Sequence, residues 1–320
     1  MTHPFEKGVS HDTASTLRHS LDTALARVNE VIIGRDRPIR LALACLLARG
    51  HLLIEDVPGV GKTTLAQALA TALGLGFVRI QFTSDLLPAD VIGVSIYDAQ
   101  QGKFQFHSGP VFSHLVLADE INRATPKAQS ALLEAMEERQ VTAEGRTYPL
   151  PKPFFVVATQ NPRHQIGTFP LPESQLDRFL MRIRIGYPDS RSERLLLQGQ
   201  DRREILDTLQ PALDARTLVA LQQQCQQVHC SAGLIDYVQA LLEASRNSTT
   251  LRHGLSPRAG IALTRAARAW SYMAGRTMVL PEDIQSVAQS VLSHRLQGEE
   301  SQNSHAKDLA RQLIQSVPIP

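Results

Sequence analysis

The sequence predicts an α/β core followed by an all-helical part. Short apolar runs alternate with helical patterns from Leu21 to about Ser190. One of these runs, HLLIE (51–55), enters a glycine-rich loop, VPGVGKTT, that opens a helical pattern. After Tyr187-Pro188-Asp189 every periodic segment reads as helix. Nearly continuous apolar runs separated by helices are what strands covered on both faces require, so the sheet is expected to be mostly parallel.

In order along the chain, residues 1–20 are polar and aperiodic and are expected to form a mobile N-terminal arm. The α/β core is placed at 21–190. Its strands are HLLIE (51–55), FVRIQF (77–82), HLVLAD (114–119), FFVVAT (154–159) and FLMRIRI (179–185). Two stretches read as inserted hairpins. At about 91–109, Val94 and Ile96 alternate before a DAQQG turn, then Phe104 and Phe106 alternate. At 140–150, a Glu144-Gly145 turn joins two short extended runs. The helical part and C-terminal helix are placed at 191–320. Apolar stripes run through Leu218, Leu221, Cys225 and Val228, through Ile235, Val238, Leu241 and Leu242, and through Ile261, Ala266, Trp270 and Met273, all expected to be core. Ser256-Pro257 and Leu280-Pro281 mark helix starts.

Composition is that of an ordinary globular chain of 320 residues with a formal net charge of +2. That balance does not by itself predict a nucleic-acid surface. No apolar run approaches the ~18 residues of a membrane span, and the N-terminus lacks a signal architecture, so a cytoplasmic location is expected. Three cysteines make no disulfide framework. CQQVHC (225–230) lacks a matching second half and reads as structural thiols on a helix, not a metal site.

The glycine-rich loop reads as a phosphate-binding site. Strand, loop and helix N-terminus together point backbone N–H groups and the helix dipole at an anion. Gly59 and Gly61 let the backbone wrap phosphate, Lys62 reaches β and γ oxygens, and the Thr63 hydroxyl ligates Mg²⁺. Asp56 stands where the pattern G-x-x-x-x-G-K-[ST] has its first glycine. It is tolerable there if its backbone keeps negative φ and its carboxylate points away from phosphate. Downstream, Asp119 and Glu120 end a β run 57 residues after Lys62. An aspartate there holds the Mg²⁺ shell while the glutamate orients and deprotonates water, a division of labour suited to phosphoryl transfer. Asn161 follows the next strand, between water and γ-phosphate. Arg178 precedes the last strand, and Arg258 sits on the first turn of a helix, able to lean toward a neighbouring phosphate.

With these residues in place, the sequence resembles the AAA+ ATPases, and specifically the MoxR family of the helix-2-insert clade. The matching segments are VIIGRDRPI, HLLIEDVPGVGKTTLA, FTSDLLPADVIG, LADEINRATPKAQSALLEAMEERQVT, PFFVVATQNP, FPLPESQLDRFLMR, LSPRAG and SVPIP. The resemblance implies an AAA+ core with a helical lid. It implies ATP bound by Val31, Ile33, Gly34, Pro58, Gly59, Val60, Gly61, Lys62, Thr63, Thr64 and Asp119, with Mg²⁺ on Thr63 and, through water, on Asp119. Catalysis would fall to Lys62, Glu120 and Asn161 (sensor 1), to Arg178 as an arginine finger acting on the neighbouring subunit, and to Arg258 as sensor 2. The two hairpins would face the pore of a homo-oligomeric ring, usually a hexamer. The implied output is remodelling of a protein client, often one with a von Willebrand factor type A domain, in complex assembly or metal insertion. Arg35 departs from the glutamine usual after Gly34 in this family.

Two other readings remain. A nucleic-acid motor would want a basic pore, yet the hairpins offer only Lys103, His107 and Arg146. A nucleotide-gated binding module without turnover has no chemical need for Glu120, Asn161 and Arg178 together.

Overall fold

The structure, a computed structural model, describes residues 11–161, 168–199, 201–298 and 305–319. Helices α1 (His11–Val31) and α2 (Asp36–Leu47) precede strand β1 (Leu52–Glu55), and α3 (Lys62–Ala72) leaves the glycine-rich loop. Then come β2 (Phe77–Gln81), the short α4 (Pro88–Ile92), the hairpin β3 (Gly93–Asp98) and β4 (Lys103–Ser108), β5 (Leu115–Asp119) and α5 (Pro126–Glu138). A second hairpin, β6 (Gln140–Ala143) and β7 (Arg146–Pro149), leads to β8 (Phe155–Gln160), α6 (Glu173–Leu176) and β9 (Met181–Ile183). The rest is helical: α7 (Ser190–Gln198), α8 (Arg202–Thr208), α9 (Ala215–Gln227), α10 (Ala232–Arg246), α11 (Pro257–Met273), α12 (Pro281–Leu292) and α13 (His305–Ser316).

The five expected strands form one parallel sheet, β2-β5-β8-β1-β9, and both inserts are antiparallel hairpins. Every residue of β1, β5 and β8 is buried, which is why these runs carry no polar alternation. Alternate side chains still go to opposite faces. Leu52, Ile54, Leu115, Leu117 and Val157 join a core shared with α1, α2, α3 and the C-terminal helices. Leu53, Val116, Ala118, Val156 and Ala158 join a second core beneath α5. The helical part therefore packs on the same hydrophobic layer as the sheet. The Gln222 side chain also donates to the Leu46 carbonyl at 2.8 Å.

Several expectations need correction. Helix α1 begins at His11, so the arm is helical from that residue, with Leu17 packed against the core. Residues 1–10 of the arm lie outside the described residues. Ile235 is 43% exposed although Val238 and Leu241 of its stripe are buried. Ile261 is 54% exposed while Ala266 is buried. Residues 258, 261, 262 and 265 share one face of α11, which borders a cavity, and of these only Ala262 is also part of the core.

His51, just before β1, is buried between the sheet and α5. Its Nδ1 accepts the Val156 amide at 3.0 Å, so the ring proton sits on Nε2, 3.2 Å from the Met136 carbonyl. An imidazolium could not accept from Val156. Burial pushes the ring down to about 4, with the Met136 carbonyl opposing the shift. The unfolded chain protonates His51 near its ordinary value, so between the two values it holds the extra proton and stability falls as pH falls. His51 should therefore cost about 2 kcal/mol at pH 5 relative to neutral pH. Urea titrations of the wild type and His51→Gln at both values should show the smaller pH penalty in the variant.

Candidate functional site

The carboxyl ends of β1, β5 and β8 meet at one edge of the sheet, and the glycine-rich loop lies across it. Gly59 and Gly61 hold φ of +84° and +90°, and nothing lies within 4 Å of where a Cβ would sit on either. The left-handed backbone, not crowding within the chain, is what calls for glycine there. Gly61 caps α3, whose first turn carries Lys62, Thr63 and Thr64, with its leading N–H groups directed outward. Pro58 and Gly59 are exposed, and Val60 is half-buried.

Asp56 meets both conditions set by the sequence. It is absent from the positive-φ residues, and its carboxylate turns away from the loop. Oδ2 accepts the amides of Ile185 (2.8 Å) and Gly186 (2.7 Å), and Oδ1 accepts that of Val57 (2.9 Å). The aspartate thus ties the exit of β1 to the exit of β9. Arg35 closes the same clasp by donating to the Gly34 carbonyl at 2.9 Å and the Gly186 carbonyl at 2.8 Å. Gly34 abuts α7 so closely that a Cβ would fall 2.2 Å from Ser192 Oγ. Within this entry segment Ile33 is half-buried, whereas Val31 is 1% exposed and belongs to the core. Asp56→Ala should lose about 3 kcal/mol, because it strands buried amides that now meet a charged acceptor. Denaturant unfolding would measure it, and an unchanged midpoint would sink the clasp.

Lys62, Asp119, Glu120 and Asn161 converge below the loop. Lys62 Nζ donates to the Asp56 carbonyl at 2.6 Å and to Asn161 Oδ1 at 3.1 Å. Burial lowers its pKa, opposed by the charges of Asp56, Asp119 and Glu120. Asn161 Nδ2 donates to Glu120 Oε1 at 2.9 Å. Glu120 itself holds φ +56°, an uncommon backbone state for a residue with a side chain, and strain of that kind concentrates at functional sites. Its amide donates to Thr159 Oγ1 at 2.9 Å, and the Thr159 hydroxyl donates to Asp119 Oδ1 at 2.6 Å. Arg79 pairs with Asp119 Oδ2 at 2.8 Å, while Arg123 (3.0 Å) and Gln81 (3.2 Å) reach Glu120 Oε2. Sequence reading missed Arg79, Gln81, Arg123 and Thr159. Only the parallel register, Gln81↔Asp119 and Ala118↔Ala158, brings the strand residues among them to this edge.

Arg178 and Arg258 are not at this edge. The Leu180 amide donates to the His51 carbonyl, so Arg178 lies at the amino end of β1. Five residues of extended chain, roughly 16 Å, separate His51 from Asp56. Arg258 sits beside Arg178. It pairs with Glu137 at 2.7 Å and Asp177 at 3.6 Å, and Glu137 lies 3.9 Å from Arg178. Neither arginine reaches the phosphate loop of its own chain.

The hairpins touch each other: the Phe106 and Tyr148 rings stack at 4.2 Å. Val94, Ile96, Tyr97 and Phe104 are between 47% and 61% exposed on the first hairpin.

Known proteins match this chain in sequence and fold. The family model "ATPase family associated with various cellular activities (AAA)" matches residues 51–181, and the AAA lid domain model matches residues 243–315. Protein YeaC of Bacillus subtilis is 44% identical over 94% of this chain and 95% of its own length. The chaperone MoxR1 of Mycobacterium tuberculosis is 41% identical over 87% of this chain and 76% of its own. A crystal structure from Cytophaga hutchinsonii, of a protein assigned as an ATPase, superposes with a TM-score of 0.88. It is 37% identical and covers 97% of both chains.

Proposed function

Because the chain belongs to the MoxR family of AAA+ ATPases, we propose that it hydrolyses Mg-ATP at sites completed by a second copy and uses the cycle to remodel a protein partner. The observation that carries this reading is the split site. The groups that bind phosphate and prepare water sit at the carboxyl edge of the sheet, and the two arginines sit at its amino edge.

In this reading the loop amides, Lys62 and the first turn of α3 hold the phosphates. Thr63 and Asp119 supply hard oxygen donors suited to Mg²⁺, and Asp119 keeps lone pairs beyond those engaged by Thr159 and Arg79. Bound there, the ion supplies charge neutralisation at the β and γ oxygens. Glu120 takes the proton of the attacking water, and Asn161 aligns that water from between Glu120 and Lys62. Arg178 and Arg258 stabilise the transferring group on the neighbouring copy. A head-to-tail interface of this kind gives a ring when the rotation between copies closes, and a hexamer with nucleotide in its interfaces is the assembly we propose.

Exposed apolar side chains on the first of the touching hairpins support a protein client over nucleic acid, because a phosphate track would want basic groups in their place. A client with a von Willebrand factor type A domain, matured or loaded with metal, is the specific form of this proposal. The test is capture from native extract with Glu120→Gln protein and ATP. An ATP-dependent protein partner carrying such a domain is the expected result. Recovery of nucleic acid with no stable protein partner would replace remodelling with a motor.

A further inference from the structure

At the amino edge of the sheet a cavity of about 190 Å³ opens beside Arg178 and Arg258. Its wall carries six guanidinium groups against two carboxylates, an excess of four positive charges. Both carboxylates are engaged: Glu137 with Arg178 and Arg258, and Asp177 with Arg258 and Arg295. The other three guanidiniums belong to Arg49, Arg139 and Arg265, and no ion pair joins them to a carboxylate among the described residues.

Like charges held close together disfavour one another's charged form, and a bound anion would offset that cost. Arg139 Nη2 meets the Arg49 carbonyl at 3.2 Å, and Arg49 Nε is buried without a hydrogen-bond partner. Partial burial, then the charges of Arg49 and Arg265, lower the pKa of Arg139. The backbone adds an independent observation. Arg49 (φ +57°) follows α2 and Arg139 (φ +54°) ends α5, both in the left-handed conformation that favours glycine at helix ends. The chain has arginine at both places despite that strain, and both side chains border this cavity as well as a neighbouring one of about 340 Å³. Arg265 joins them from α11, two turns beyond Arg258 on the same face.

We propose that Arg49, Arg139 and Arg265 form an oxyanion site for a phosphate-sized group in this cavity, beside the ion-paired Arg178 and Arg258 and separate from the chain's own phosphate loop. The volume suits one tetrahedral phosphate and falls below the ~300 Å³ at which pockets for larger ligands begin. Guanidinium forks match that geometry and charge. The group has two possible sources: free inorganic phosphate, or a phosphoryl group presented by a second copy against this edge.

The probe is inorganic phosphate, titrated calorimetrically at low salt into Lys62→Ala protein, whose phosphate loop has lost its ammonium. Saturable binding is expected, at least tenfold weaker once Arg49→Gly and Arg139→Gly are added. Glycine relieves the positive φ at both positions, so this variant should keep or raise its thermal midpoint, and lost binding would not reflect unfolding. Arg265→Gln, on an exposed helix face, should weaken binding without touching a strained backbone. Absence of saturable binding, or equal affinity with and without these arginines, would overturn the proposal. Once the site is established, Glu120→Gln protein saturated with Mg-ATP distinguishes the sources. Continued phosphate binding in the assembly identifies the free ion. Exclusion of phosphate on assembly identifies the second copy's phosphoryl group.

Discussion

Glu120→Gln protein should bind Mg-ATP as the wild type does and turn it over roughly 10²- to 10⁴-fold more slowly, the usual worth of a positioned general base. The substitution keeps shape and the ability to accept from Asn161 Nδ2, now 2.9 Å away. What it removes is the capacity to take a proton from water. Lys62, Thr63 and the loop glycines, which hold the nucleotide, are untouched. The Glu120 carboxylate is shared among Asn161, Gln81 and Arg123, so it must turn from part of this shell to meet water. Fluorescent-nucleotide binding and phosphate release, measured on the same preparation, separate the two effects. Hydrolysis at the wild-type rate would remove Glu120 from the reaction, and loss of binding would show that its role is structural.

What the sequence could and could not convey divides along physical lines. Strands β1, β5 and β8 were legible because burial on both faces leaves an uninterrupted apolar run. The fate of the Asp56 carboxylate was legible too, since any other direction would set it against phosphate. The donors it meets, the amides of Ile185 and Gly186, lie 129 and 130 residues away and carry no side-chain signature. Arg79, Gln81 and Thr159 were invisible for a related reason: each sits in a run that reads only as strand, and it is register that aims them at Asp119 or Glu120. The stripe on α11 misled at Ile261 because periodicity shows that a face is apolar, not what it faces. There the face borders a cavity of arginines. Residues 11–20 read as an arm because few of them are apolar, yet one leucine, Leu17, meets the core from α1.

Arg178→Ala protein and Lys62→Ala protein should each be nearly inactive, and mixing them should restore turnover. An arginine supplied by a neighbour is typically worth ~10³ to 10⁵ in rate, which makes this the largest loss expected outside the phosphate loop. The geometry demands the complementation. Arg178 lies at the amino end of β1, roughly 16 Å of extended chain from the loop at its carboxyl end, and no side-chain movement brings it to its own nucleotide. In a mixed ring, an Arg178→Ala subunit offers an intact loop to the intact arginine of a Lys62→Ala neighbour. Random head-to-tail pairing makes about a quarter of the interfaces complete, which sets the ceiling for recovery. Arg258→Ala should behave in the same way, because Arg258 shares Glu137 with Arg178 and is held at the same edge. Were Arg258 to serve its own chain's nucleotide, a mixture of Arg258→Ala and Lys62→Ala protein would be no more active than its parts. Recovery with Arg178→Ala but not with Arg258→Ala would therefore separate the two arginines and require α11 to swing to the opposite edge of the sheet during the cycle.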